Sequence, residues 1–178
     1  MARRKGHHSE YERMFEVYLR KKEIPYIAVD ESKRPVTRYG KIKNFDFIIH
    51  SKRGNLSVDI KGKEFPQSAT QDRSGLRWQN WVKNADLQGL TFWRDIMGDF
   101  FTPIIIFAYK VIYTKDIYLF WDLFNYKSSS YGLVAVGLED YKKYAKLRSP
   151  KWGVYSVNKK DFLEIMRPLR YFIPEIGS

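Results

Sequence analysis

The sequence predicts a mixed α/β domain with the element order α-β-β-β-α-β over residues 9 to 113. Three patterns indicate this class. Apolar residues recur at helical spacing after Ser9, apolar and polar residues alternate along two adjacent segments at 44–50 and 56–62, and residues 103–113 are rich in isoleucine and aromatic residues. Because each helix must bury one apolar stripe, we expect a central mixed sheet flanked by helices.

The first helix is predicted to begin near Ser9 and to end before Pro25, because the residue before a proline disfavours helical conformation. Its apolar stripe consists of Tyr11, Met14, Phe15, Tyr18 and Leu19. A short strand is expected at 25–29. Residues 33–43 carry several basic residues and no acidic one, and they are predicted to form a loop.

A β-hairpin follows, with strands at about 44–50 and 56–62 and a turn that contains Gly54 and Asn55. We predict a polar loop at 63–75, a third strand at 76–82, and a helix from Asn84, an acceptable N-cap, to Met97. A strand at 103–113 completes the core. An α+β extension over 114–178 is expected to mix strand and helix over the segments 133–136, 138–147, 153–157 and 160–169.

Length and composition indicate a single domain over residues 9–178, behind a basic, disordered tail at residues 1–8. The core of this domain spans about residues 9–113. The chain has 32 Lys and Arg against 20 Asp and Glu, a net charge of +12. This excess favours a polyanionic partner, nucleic acid before an anionic membrane surface, although a generally basic protein is the plain alternative.

The sequence also excludes several classes. It has no cysteine, which rules out disulfides, cysteine nucleophiles and thiolate zinc sites. The longest apolar segment, residues 100–109, is too short to cross a bilayer, so no membrane association is expected. No signal peptide is visible at the start of the given sequence. These observations predict a cytoplasmic protein.

The hairpin carries the residues that point to chemistry. Asp46 lies within an apolar segment of the first strand, where an unpaired carboxylate is costly. Asp59 and Lys61 are two positions apart on the second strand, so their side chains share one face of the sheet. Two carboxylates on neighbouring strands suit a hard cation such as Mg²⁺. The alternative for Asp59 and Lys61 is an exposed strand face with an ordinary ion pair.

This hairpin, between two helices and ending in Asp-Ile-Lys, resembles the PD-(D/E)xK signature of the restriction-endonuclease-like nuclease superfamily. The segment YERMFE at residues 11–16 also resembles the motif of the uncharacterised HYExAFE family of bacterial proteins, with Met14 in place of its alanine. The superfamily resemblance implies a metal-dependent nuclease with Asp46, Asp59 and Lys61 as catalytic residues and Mg²⁺, or Mn²⁺ in its place, as cofactor. It also allows a homodimer, because enzymes that cut duplexes often pair two sites.

Glu12 has two interpretations. A helical wheel places it at the edge of the buried stripe, where it can support the metal as a catalytic and metal-binding residue. The spacing of Ser9 and Glu12 equally fits a capping box, which needs no function. Asp86 is predicted to interact with the dipole of the second helix rather than to act in catalysis.

Basic residues are expected to follow a nucleic-acid backbone, with Tyr141, Tyr144 and Trp152 available for stacking. The predicted nucleic-acid-binding residues are Lys33, Arg34, Arg38, Lys41, Lys43, Gln79, Lys142, Lys143 and Lys146. The alternative for the last three is a solvated helix face. The sequence therefore favours a nuclease acting on DNA rather than RNA. Two other classes stay open, a catalytically weak or inactive nucleic-acid-binding protein with the same fold, and a protein-interaction module.

Overall fold

The computed structural model describes residues 9–30, 32–38, 40–65 and 78–177. The predicted tail at 1–8 and most of the predicted loop at 63–75 lie outside these residues. The helices are α1 (Glu10–Lys21), α2 (Asn84–Met97), α3 (Leu138–Tyr144) and α4 (Lys159–Ile165). The strands are β1 (Tyr26–Ala28), β2 (Val36–Thr37), β3 (Gly40–Lys41), β4 (Phe47–Ser51), β5 (Gly54–Phe65), β6 (Val82–Lys83), β7 (Phe101–Val111), β8 (Asp122–Tyr126), β9 (Ser129–Gly137), β10 (Lys146–Ser149) and β11 (Val154–Ser156). Short 3₁₀ helices lie at Gly98–Phe100, Thr114–Leu119, Leu169–Tyr171 and Pro174–Gly177.

The centre of the molecule is a six-stranded mixed sheet with the order β1-β4-β5-β7-β9-β8. Strand β5 pairs antiparallel with β4 and parallel with β7, while β7 pairs antiparallel with β9. The parallel pair is joined by α2, as such a connection requires a crossover. The predicted class, a central mixed sheet flanked by helices, is confirmed.

The two faces of the sheet carry separate apolar cores. On one face Met14 and Phe15 of α1 pack against Val58 and Ile60 of β5. On the other face the apolar residues of α2, α3 and α4 pack against the odd-numbered residues of β7, among them Phe107. Since side chains alternate along a strand, the odd-numbered residues of β5 face the α2 side.

The position of the third core strand differs from the prediction. The three strands before α2 in the central sheet are β1, β4 and β5. The strand expected at 76–82 lies partly outside the described residues, and Val82 begins β6 in a separate three-stranded sheet with the order β10-β11-β6. The predicted basic loop at 33–43 also contains a short hairpin, β2 with β3.

The C-terminal part is more closely joined to the core than an extension would be. Strand β9 adds directly to β7, and β8 forms the far edge of the same sheet. Tyr141 of α3 is fully buried, so it is a core residue and the prediction that it is free to stack on bases is wrong. In the described ranges, no helix has the length and apolar character needed to cross a membrane.

Candidate active site

Asp59 and Lys61 lie near the middle of β5, on the sheet face covered by α2. The parallel register places Asp59 opposite Ile105 and Lys61 opposite Phe107 of β7. Asp59 is only 1% exposed. A carboxylate at such a position requires a positive partner, because desolvation penalises its charged form.

Two lysines provide this positive charge. The Lys61 ammonium contacts Asp59 Oδ2 and lies 3.1 Å from Asp86 Oδ2. The Lys43 ammonium contacts Asp86 Oδ1 and lies 3.9 Å from Asp59 Oδ1. The four groups therefore form a closed cluster in which two carboxylates alternate with two ammonium groups. We call these four residues the charge cluster.

The protonation of the charge cluster follows from burial and from these pairs. Burial acts to lower the pKa of Lys61, but Asp59 and Asp86 outweigh it and raise that pKa above its ordinary value. Burial likewise acts to lower the pKa of Lys43, but Asp59 and Asp86 raise this pKa above its ordinary value. For the acids, burial raises the pKa of Asp59, while Lys61 and Lys43 overcome burial and lower the pKa of Asp86. Acidification therefore protonates Asp59 before Asp86.

Asp46 lies immediately before β4, at the edge of the charge cluster. It is 3% exposed, and its Oδ2 accepts a hydrogen bond of 2.6 Å from the Ile60 backbone N–H. Its own N–H donates to Val58 O at 2.8 Å, which holds it against β5 just beyond the pairing of Phe47 with Val58. Its charge contributes to the raised pKa of Lys61, so Asp46 and Lys61 share one electrostatic environment.

Helix α2 delivers Asp86. Asp86 is the third residue of the helix and its Oδ2 accepts a hydrogen bond of 3.3 Å from the Lys83 N–H. A Cβ at Gly89 would lie 2.5 Å from Lys43 O, so the helix can approach the segment of Lys43 this closely only with glycine there. Asp86 does occupy the first helical turn as predicted, but its ion pairs with Lys43 and Lys61 place it inside the candidate site.

Lys63 is a further buried amine on the same face of β5. It is 5% exposed, and its Nζ lies 3.1 Å from the centroid of the Trp81 ring. Burial first, and then the positive charge of Lys61, lower the pKa of Lys63 to about 7. Sequence reasoning did not identify Lys63, and it assigned Asp86 to the dipole of the second helix rather than to the site. Strand alternation from Asp59 would have found Lys63, whereas no local pattern links Asp86 to β5.

Glu12 lies on α1, which packs on the opposite face of the sheet from α2. The Ser9 hydroxyl donates to Glu12 Oε1 at 2.7 Å and accepts from the Glu12 N–H at 3.2 Å. The bond from the Glu12 N–H to the Ser9 hydroxyl is the helix cap that the sequence left open, whereas Glu12 Oε1 accepts from the Ser9 hydroxyl where a capping box has the Ser9 N–H as donor. The geometry favours it, and the role of Glu12 in metal binding stays a prediction.

The predicted nucleic-acid-binding residues separate into four groups. Lys43 belongs to the charge cluster. The exposed basic residues around the β2–β3 hairpin are Lys33, Arg34, Arg38 and Lys41, and those near α3 are Lys142, Lys143 and Lys146. Gln79 is partly buried, and its backbone carbonyl accepts a hydrogen bond of 2.8 Å from the Tyr109 hydroxyl.

The donor set can be compared with what a divalent ion requires. Within the described ranges, no group of three or more Asp, Glu or His side chains is arranged as a ready metal site. Asp59 and Asp86 nevertheless both contact Lys61, and the charge of Asp46 acts on the same lysine. Mg²⁺ is commonly held by one or two carboxylates, waters and substrate phosphates. The residue types fit Mg²⁺ or Mn²⁺ on condition that an ammonium group moves from a carboxylate to the phosphate.

No protein-family model and no curated protein matches the sequence. The HYExAFE resemblance of the N-terminal segment therefore stays a prediction. The fold is similar to that of Hjc, a Holliday junction resolvase from the archaeal hyperthermophile Archaeoglobus fulgidus, with a TM-score of 0.50 and 10% sequence identity. The match covers 91% of this chain and 96% of that chain. Such low identity shows the fold alone, and the chain has the restriction-endonuclease-like fold that its element order predicted.

Proposed function

We propose that this protein is a divalent-metal-dependent nuclease that hydrolyses phosphodiester bonds in DNA. The observation that carries the proposal is the charge cluster on β5 and α2, with Asp46 beside it, in a restriction-endonuclease-like fold. Taking charges out of water costs several kcal/mol per ion before pairing repays it, and apolar residues would stabilise such a core as well or better. Buried ionisable groups with shifted pKa values are characteristic of functional sites.

In this proposal Asp46, Asp59 and Asp86 supply the oxygen ligands for the metal. Mg²⁺ bound by these carboxylates would polarise the phosphate and lower the pKa of a coordinated water. The three carboxylates face two ammonium groups, Lys43 and Lys61, so the site carries a net negative charge that a divalent cation reverses. An anionic phosphate then completes the balance.

The lysines act on the phosphate. The raised pKa of Lys61 keeps it protonated at neutral pH, so it serves as a hydrogen-bond donor to the phosphate and not as the base that takes a proton from water. Hydrolysis forms a bond between the water oxygen and phosphorus and breaks the bond between phosphorus and the leaving sugar oxygen. The attacking water gives up a proton to solvent, and the leaving sugar oxygen takes one from solvent. The negative charge that builds on the phosphate oxygens is stabilised by Lys61, and Lys43 keeps Asp86 ionised.

The test is cleavage of duplex, single-stranded and branched DNA, with matching RNA, in Mg²⁺, in Mn²⁺ and in chelator. We expect metal-dependent cleavage of DNA, and a loss of about 10²–10³-fold or more in Lys61→Met and Asp59→Asn, by analogy with the removal of one transition-state donor. The controls Lys160→Met and Asp99→Asn remove exposed charges elsewhere and should cleave like the wild type.

Circular dichroism and thermal unfolding establish that the variants are folded. Robust cleavage by folded Lys61→Met and Asp59→Asn would contradict the assignment of these two residues to the active site.

The predicted homodimer is tested by size-exclusion chromatography with and without a duplex. In the expected dimer, the two active sites act on opposite strands of the duplex.

A second function is favoured by one observation. Each carboxylate of the charge cluster already has a lysine partner, so neither can bind a metal until a lysine moves away. A nucleic-acid-binding protein of the same fold would show salt-sensitive binding that persists in chelator, with no cleavage under any metal.

A further inference from the structure

A basic and aromatic groove lies on the small sheet beside the charge cluster. It is a cavity of about 410 Å³ lined by Trp81, Lys83, Arg148, Ser149, Trp152 and Val154. We call this cavity the β6–β10 groove. Its volume is in the range of pockets that take small organic groups. Its lining residues include two cations and two indole rings and no carboxylate.

The aromatic residues of the groove are placed for contact with a partner. Trp152 is 70% exposed, a high value for the largest apolar side chain. The ammonium of Lys151 lies 5.5 Å from the centroid of its ring, which adds a further positive charge at the rim. Surfaces that bind single-stranded nucleic acids combine exposed aromatic rings, which stack on bases, with neighbouring cations, which pair with phosphates.

Buried hydrogen bonds anchor the segment next to one wall of the groove. Asn80, next to Trp81, donates from Nδ2 to Val157 O at 2.9 Å and accepts at Oδ1 from Val157 N at 3.0 Å. The Tyr141 hydroxyl donates to Asn80 O at 2.7 Å. The turn that carries Trp152 uses Gly153 at φ 56°, a left-handed conformation that suits glycine. A preformed groove binds with a smaller ordering cost than a flexible one.

Two contacts join the groove to the elements of the candidate active site. The N–H of Asn84, the first residue of α2, donates to Gly153 O at 2.7 Å, which ties the Trp152 turn to the helix that carries Asp86. The Trp81 ring lies against Lys63, which is on the same β5 face as Lys61. At about 3.3 Å per residue, Asp59 and Lys63 are about 13 Å apart along β5. A stacked strand advances about 3.4 Å per nucleotide, so a distance of this length corresponds to about four nucleotides.

We propose that the β6–β10 groove binds single-stranded nucleic acid and guides it to the charge cluster, with a base stacked on Trp152 and phosphates on Arg148 and Lys83. This inference rests on the proposed function, because it defines the form of substrate that reaches that site. Negatively charged peptide is the other polyanion that such a groove attracts. The two tryptophans favour nucleic acid, because carboxylate-bearing side chains offer no flat surface for stacking.

The test measures binding without cleavage. Asp59→Asn protein in chelator is titrated with a labelled oligothymidylate of about eight nucleotides, long enough to span groove and site. Adding Trp152→Ala should weaken binding about tenfold, the effect of losing one base–aromatic stack, and Trp152→Phe should restore most of it. The matched control is Trp121→Ala, which removes another exposed indole outside the groove, and its affinity should stay within about twofold of the parent.

A charge comparison and two competitors complete the design. Arg148→Gln should weaken binding more than Arg13→Gln, which removes one exposed charge from α1. A blunt duplex should lose little affinity in Trp152→Ala. Equal losses for duplex and single strand, an equal effect of Trp121→Ala, or displacement of the oligonucleotide by oligoglutamate at equal charge would each overturn the groove assignment.

This outcome is separable from that of the proposed function. If Asp59→Asn loses metal-dependent cleavage but Trp152→Ala leaves single-strand affinity unchanged, the nuclease proposal is supported and the groove proposal is contradicted. If Trp152→Ala selectively loses single-strand binding but the wild type cuts no substrate, the groove proposal is supported and the nuclease proposal is contradicted.

Discussion

Lys61 and Lys63 are two positions apart on the same face of β5, yet their pKa values shift in opposite directions. Lys61 contacts two carboxylates, which outweigh its burial. Lys63 is buried against the Trp81 ring, and the neighbouring charge of Lys61 adds to the effect of burial. The identity of the nearest charged group therefore decides whether a buried lysine stays protonated at neutral pH.

The lowered pKa of Lys63 predicts a pH dependence of stability. In the unfolded chain this lysine is protonated at every pH below its ordinary pKa of 10.5. In the folded chain it stays neutral as the pH falls to about 7, which is its lowered pKa. The unfolded state thus binds more protons in this window, so folding stability rises with pH there, by at most about 1.4 kcal/mol per pH unit. Lys63→Met removes this contribution.

Urea unfolding at several pH values between about 7 and 9.5 measures the effect as the difference between wild type and Lys63→Met. The free energy of unfolding of the wild type should gain on that of the variant as pH rises. Lys160→Met, which removes an exposed lysine on α4, should run parallel to the wild type. Parallel curves for Lys63→Met as well would show that its amine is protonated in the folded state.

Residue-level reasoning found part of the site. Strand alternation correctly placed Asp59 and Lys61 on one face, because the period of two is a local property of the backbone. Asp86 was assigned only to the helix dipole. Asp86 lies 25 or more residues along the chain from Lys61 and from Lys43. The crossover of α2 brings it into contact with both lysines, and this crossover is a tertiary feature.

At the scale of elements, the position of α2 sets the geometry of the charge cluster. Its first turn carries Asp86, and its middle lies against the segment that carries Lys43. Gly89 is the point of closest approach, where even one methyl group would meet the Lys43 carbonyl. A backbone carbonyl cannot move aside as a flexible side chain can, so the helix itself must shift.

Gly89→Ala is therefore expected to destabilise the protein although alanine is the better helix former. Overpacking costs about 1–3 kcal/mol, against about 1 kcal/mol gained in helix propensity. The net loss should appear as a lower urea midpoint, together with reduced cleavage, because Asp86 moves away from Lys61. Gln88→Ala, at an exposed position of the same helix, should change stability by no more than about 0.5 kcal/mol. A Gly89→Ala protein as stable and active as the wild type would contradict this account.

Elements with a strong local pattern were predicted well. The predicted bounds of α2 agree with Asn84–Met97, and Gly98 follows its end, although Lys83 and not Asn84 is the N-cap. The sequence did not predict β8 or β10, and it placed the strand at 76–82 in the central sheet. Strands β6, β10 and β11 are two to four residues long, and their pairing depends on contacts far apart in the chain.

At the scale of the whole molecule, the net charge of +12 is distributed so that basic residues lead to the site. The β2–β3 hairpin is surrounded by exposed cations and ends near Lys43, in the charge cluster. Asn44 closes the base of this loop, since its Nδ2 donates to Lys33 O at 3.1 Å and to Asp30 O at 3.3 Å. This arrangement suits phosphate contacts that position a substrate without reading its sequence.

The salt dependence of DNA binding tests this role. A variant that removes the four exposed hairpin cations should reduce the slope of log K against log salt by about 3 to 4, at about 0.9 per phosphate contact. The four changes are Lys33→Gln, Arg34→Gln, Arg38→Gln and Lys41→Gln. A control with equal charge loss carries Lys22→Gln, Lys115→Gln, Lys159→Gln and Lys160→Gln.

Fluorescence anisotropy with a duplex and Asp59→Asn protein gives both slopes. We expect the control to lower affinity slightly through net charge while its slope stays close to that of the parent. A hairpin variant with the parent slope would remove this loop from the nucleic-acid surface.

The sequence by itself determined the mixed α/β class, the two helices α1 and α2, and the shared face of Asp59 and Lys61, because periodicity and turn residues act over a few neighbouring positions. Only the tertiary structure decided that Asp86 and Lys43 join them, that Glu12 lies on α1 across the sheet, and that Trp81 and Trp152 line one groove. These placements depend on the crossover of α2 and on pairing between short distant strands, which no local pattern encodes.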